Sequence, residues 1–217
     1  MGLKIGHASL SENGTVNGQK GDQNGREVCI REWYSKPWDY LLRPKNPTKA
    51  EIMAKNCEMV CNNSACGYSQ STRNTLRQEA LKTNFDFTKI GLCNCDCSSF
   101  MSVCCECAGI PIPYNGNNAP TTSSMRTAFM NTGYFDLLTD KKYLDSDNYL
   151  CRGDILVSVG NHTVMVLSNG KLADIAQLET IQTNQIKAID LSKYNIIILV
   201  IIVILFEVVD LLVPTLL

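Results

Sequence analysis

Apolar positions Ile52, Met53, Met59 and Val60 recur at nearly helical spacing behind Thr48-Lys-Ala-Glu51, which has the form of a capping box. The pattern predicts a helix from Thr48 until Asn62-Asn63 breaks it. A second helix is expected from about Ser71 to Lys82. A third, strongly apolar one should run from Cys97 to about Ala108 and stop at Gly109-Ile-Pro111, because glycine ends helices and proline restricts the residue before it. A short helix near Ser123 to Asn131 then leads to strands beginning at Asp154. Gly153-Asp-Ile-Leu-Val-Ser-Val-Gly-Asn-His-Thr-Val-Met-Val-Leu167 reads as two strands joined by a turn. The alternation Thr163-Val-Met-Val-Leu167, the turn Ser168-Asn-Gly170 and the run Lys171-Leu-Ala173 predict a further hairpin, its Asn-Gly pair supplying positive φ, with Asp174 ending the last strand.

The two ends lack this periodicity. Residues 1–47, rich in Gly, Asn, Pro and aromatics, predict an irregular arm that packs on a catalytic domain over 48–194. Residues 195–217 open with eleven continuous apolar residues, Ile196 to Phe206, before Glu207 and Asp210 intervene. A bilayer span needs about twenty. A last core strand over about Asn195 to Leu199, then an apolar tail that contacts the domain or a membrane, is the preferred reading; a membrane anchor is the alternative.

Composition fits one compact enzyme domain: 217 residues can bury a substantial core. The net charge of −1 and pI near 6.1 give no electrostatic reason to expect nucleic acid as a partner. Eleven cysteines are many, yet their odd number, their clustering and the lack of a secretory signal at Met1-Gly-Leu-Lys-Ile-Gly6 argue for reduced thiols and cytoplasmic synthesis. The cluster Cys93, Cys95, Cys97, Cys104, Cys105 and Cys107 lacks the paired C-x₂-C spacing of common zinc sites. Its bland reading is small apolar residues of a buried helix, and Cys29, Cys57, Cys61, Cys66 and Cys151 read the same way. No cofactor or metal is expected.

Cys97 is the exception. It stands where a loop ends and the apolar helix begins, with Asp96 before it and Ser98-Ser99 after. Unpaired N–H groups and the positive dipole end favour a thiolate and can hold an oxyanion. A base is then required, and the chain has only two histidines. His162, opening the second strand, is better framed than His7, which lies in a Gly-flanked amino-terminal segment. Asp174 at the end of the hairpin could accept from one ring nitrogen and leave the other for the thiol; Gln177 is its nearest polar rival. Trp33, Tyr34, Trp38 and Tyr40 could line a groove for an extended peptide or sugar, or simply pack on the core.

Asp96-Cys-Ser-Ser-Phe-Met-Ser-Val103, Gly153-Asp-Ile-Leu-Val157 and His162-Thr-Val-Met-Val166 together resemble the NlpC-type cysteine peptidases, papain-fold enzymes that cut bacterial cell-wall peptides. That family's core motif is Asp-Cys-Ser-Gly-Phe, so Ser99 stands where glycine is usual, and its third catalytic position, here Asp174, is commonly histidine. Gly21-Asp-Gln-Asn-Gly-Arg-Glu-Val28 and Arg31-Glu-Trp-Tyr34 look more specifically like clostridial and related phage or prophage endolysins. The resemblance covers about residues 2 to 192. It implies an α+β papain-like fold with the nucleophile at the start of a helix packed on a small antiparallel sheet, and the catalytic set Cys97, His162 and Asp174. It also implies peptidoglycan as the partner and action at the bacterial wall after release.

The expected reaction is hydrolysis of a stem-peptide amide through an acyl-enzyme. Hydrolysis of the bond between muramic acid and the first alanine is the alternative on the same triad. The competing class is a non-enzymatic, thiol-rich module, zinc-loaded and membrane-tethered, and an acyltransferase on the same fold is a third reading. No separate wall-binding module is recognisable.

Overall fold

Six short strands form an antiparallel sheet, and the amino-terminal segment supplies three of them. The computed structural model describes residues 2–11, 13–21, 26–177 and 183. In chain order the strands of this sheet are β1 (Lys4–Ala8), β2 (Val28–Glu32), β3 (Tyr40–Pro44), β6 (Phe135–Leu138), β7 (Ile155–Ser158) and β8 (His162–Val166), arranged β2-β1-β8-β7-β3-β6. A separate parallel pair joins β4 (Cys66–Tyr68) to β5 (Cys93–Cys95). The helices are α1 (Pro47–Cys61), α2 (Thr75–Lys82), α3 (Cys97–Cys107), α4 (Met125–Met130) and α5 (Lys141–Leu144). The fold is therefore mixed α+β with an antiparallel sheet. The chain divides into two compact units, Met1–Ala173 and Asp174–Leu217.

The helices predicted from periodicity form close to their expected bounds, with one change of cap. Asn46, not Thr48, starts α1: its side-chain oxygen accepts from the Thr48 and Lys49 N–H groups at 2.9 and 3.1 Å, and Pro47 occupies the first turn, where no N–H is needed. Met53, Ala54 and Cys57 of α1 and Phe100, Met101 and Cys104 of α3 are buried in one cluster with Leu42, Ile155, Val157 and Met165 of the sheet. Gly6 brings β1 against α1, because a Cβ there would collide with the Cys57 sulfur. Gly153, at φ +91°, turns the chain into β7 where a Cβ would lie 2.7 Å from that of Ala50. Beside it, buried Arg43 and Asp154 form a bidentate pair (2.9 and 2.7 Å) that ties β3 to the start of β7.

Two expectations are corrected. The amino-terminal segment is not irregular throughout: its strands β1, β2 and β3 build half of the six-stranded sheet. Nor does a hairpin follow β8. The Gly170 and Leu172 N–H groups donate to the Leu150 and Asn148 carbonyls, both at 2.8 Å, and residues 173–177 are helical. Gly170 serves a close backbone approach to Asp147 and Asn148 rather than a positive φ, and Asn169 caps the Arg152 N–H at 2.8 Å. The edge of β8 that the hairpin was expected to cover is taken by β1. The strand and tail expected over 195–217, and the domain end expected at 194, lie outside the described residues.

Candidate active site

Asp96 holds the start of α3 by a reciprocal capping box. Its Oδ1 accepts the Ser99 N–H at 2.7 Å, while Ser99 Oγ accepts the Asp96 N–H at 2.9 Å and donates to the Arg73 carbonyl at 2.7 Å. This gives Ser99 a task that a glycine there could not perform. Arg73 then pairs with Asp96 Oδ2 at 2.5 Å and donates to Ser98 Oγ at 2.7 Å and to the Ala119 carbonyl at 2.8 Å, fixing the turn from behind.

Cys97 is the first residue of the helix so anchored and is 7% exposed. The backbone N–H groups of Thr163 and Ser98 face its sulfur. Thr163 follows His162 on β8, so the described contacts bring Cys97 to the end of the strand that carries the expected base. Burial pushes the Cys97 thiol up to about 12, the Asp96 carboxylate adds to this, and the two N–H groups and Arg73 counteract it only in part. The shift runs against the sequence expectation that the helix start favours a thiolate. Desolvation outweighs the two N–H groups and Arg73, which favours a protonated sulfur in the free site.

His162 sits in an aromatic nest. Its ring stacks on Tyr34 (centroids 6.5 Å, planes 19° apart) and Trp38 (6.4 Å, 28°), and meets His7 edge-on at 5.6 Å and 82°. Burial, then the neighbouring His7, Lys36 and Arg31, lowers its pKa to about 3, so the imidazole is neutral at pH 7. Its Nε2 is buried with no protein partner among the described residues.

Asp174, expected on a strand beside β8, instead lies in the helical stretch 173–177 and opens the second unit. His7, which the sequence reading ranked below His162, lies against the His162 ring. It lies on β1, is 2% exposed and has Nδ1 3.4 Å from the Tyr34 hydroxyl. The signal was present in the alternation of Leu3, Ile5 and His7 and in the scarcity of histidine, but Gly6 obscured the strand. Tyr34 and Trp38 take part through their rings, whereas Tyr40 is a buried core residue. Among the described residues no group of three His, Cys, Asp or Glu side chains is arranged to hold a metal ion, and no helix is long and apolar enough to cross a membrane.

No curated protein and no solved structure matches the chain. The model of one protein family, described as the endolysin-like domain, matches residues 5–173, from the strand of His7 through Cys97 and His162 to the end of the first unit. The chain belongs to the endolysin-like domain family.

Proposed function

We propose that this protein cuts an amide bond in the stem peptide of bacterial peptidoglycan, as a cysteine peptidase on a papain-like fold of the NlpC type. Family membership suggests a cell-wall lytic role and peptidoglycan as the substrate. The observation that carries the cysteine mechanism is a buried thiol at a doubly anchored helix start, touching the N–H of the residue next to a histidine. Cys97 sulfur attacks the scissile carbonyl while His162 takes the thiol proton. The resting groups are both neutral, so proton transfer accompanies attack rather than preceding it. The tetrahedral oxyanion accepts from the N–H at the start of α3, the amine leaves with the proton returned by His162, and water then releases the acyl group. The third position falls to Asp174 by the order of the resembling motifs, and to His7 by its ring contact.

The test is digestion of purified Gram-positive peptidoglycan by wild type and Cys97→Ala, with released amines and reducing ends assayed together and products identified by mass. New amines without new reducing ends, absent with the variant, are expected. Reducing ends, or equal release by Cys97→Ala, would sink the cysteine mechanism. Release of the whole stem peptide would move the cut to the muramoyl bond.

A further inference from the structure

We propose that His7, brought to the site by the amino-terminal strand β1, is the positioning residue of His162, so that the working order along the chain is His7, Cys97, His162. This rests on the reading of Cys97 and His162 as nucleophile and base and adds a third member to it.

Register comes first. β1 and β8 pair antiparallel with His7 opposite Val164. Side chains alternate along a strand, so His162, two residues before Val164, lies on the same sheet face as His7 and diagonally across from it. The rings meet as this predicts, edge to face. No other imidazole exists in the chain, and no carboxylate of the described residues hydrogen-bonds to the His162 ring.

The chemistry agrees. An orienting residue must offer an acceptor to the base's ring N–H, so that the other nitrogen keeps its lone pair for the thiol proton. On His7, Nδ1 lies 3.4 Å from the Tyr34 hydroxyl, which can accept a proton held there. With the proton on Nδ1 and shared with Tyr34, the buried Nε2, which has no partner, is a bare acceptor. The two Nε2 atoms, each buried and unpaired in rings that meet, are not hydrogen-bonded to one another in the free site, and a bond between them in the working site would satisfy both. The slot beside β8 that the sequence reserved for a strand ending in Asp174 is the slot β1 fills.

The experiment compares His7→Phe, His7→Gln and Asp174→Ala with wild type in peptidoglycan hydrolysis, and reads the His162 ring by nitrogen NMR. The chain's two histidines make the spectrum assignable with one variant. His7→Phe should lower kcat on the order of 10²-fold with KM within about twofold, because orientation of the base acts on the proton-transfer step. His7→Gln, which retains an acceptor oxygen, should recover part of the loss. The His162 ring should hold one tautomer in wild type and a mixture in His7→Phe. Unchanged kcat in a folded His7→Phe protein overturns the proposal, as does an Asp174→Ala loss as large as that of His7→Phe. If wild type does not act on peptidoglycan, the proposed function fails, and the tautomer still decides the role of His7. Should His7→Phe not fold by circular dichroism, a mixture of His162 tautomers in the wild-type protein overturns the proposal.

Discussion

A thiol at a helix start reads from sequence as activated, and the neighbours of Cys97 reverse that. The dipole and two N–H groups favour the anion, but burial and the Asp96 carboxylate oppose it, and the thiol is pushed up to about 12. Because the shift is upward, the thiolate fraction at neutral pH is small and grows about tenfold per pH unit. Site-resolved alkylation of Cys97 by iodoacetamide should therefore be slow at pH 6 to 7 and still rising above pH 9. A plateau reached below pH 7 would mean a preformed ion pair with His162 instead. Ser99 makes the companion case. Its hydroxyl accepts the Asp96 N–H and donates to the Arg73 carbonyl, so Ser99→Gly should cost about 1–2 kcal/mol in urea denaturation, although glycine is usual in the resembling motif. A neutral result would show that the capping box adds nothing here. At this scale the sequence displayed the proposed nucleophile and base, because one sits at a helix boundary and the other at a strand start. It did not display burial, which decides their protonation.

Among the elements, legibility tracked local information. α1 and α3 carry their own signals, an apolar stripe and terminal polar or glycine residues, and they form near their predicted bounds. β1, β2 and β3 are five residues each and are interrupted by Gly, Pro and long polar stretches, so no period of two survives long enough to read. The identity of β1 and β3 as strands comes from pairing with segments more than a hundred residues away, β1 with β8 and β3 with β7, and β2 then pairs on β1. The same non-local pairing explains the false hairpin after β8. An Asn-Gly pair after an alternating strand is a sound local cue, but the edge it would cover is already paired by β1. Long-range closure also fixes the worth of Arg43 and Asp154, which bridge strands 111 residues apart at 5% and 1% side-chain exposure. Asp154→Ala leaves the buried guanidinium without its carboxylate, and a loss of about 3–5 kcal/mol is expected in the unfolding free energy. A loss under 1 kcal/mol would mean that water replaces the carboxylate and that the clamp is not structural.

For the molecule as a whole, the two histidines couple the site to stability, and the sign follows from their shifts. Unfolded, each takes a proton near pH 6.5; folded, burial holds His7 down to about 4 and His162 to about 3. As pH falls below 6.5 the unfolded chain binds protons that the folded one refuses. Stability is therefore fully present above pH 6.5 and drains as the pH drops toward 4. His7 alone accounts for about 3 kcal/mol by pH 4, a large share of an ordinary domain's margin. Asp154 works the other way: burial raises its carboxyl, so the folded state gains that proton first and recovers a little stability near the acid end. Urea midpoints at constant ionic strength should thus fall steadily from pH 7 to 4.5, and His7→Gln, which cannot titrate, should flatten the slope if the variant folds. A midpoint independent of pH over that window would show that neither imidazole is held neutral in the fold. The aromatic nest would then be too wet to shelter His162 as a free base, and the concerted proton transfer argued for Cys97 would lose its ground.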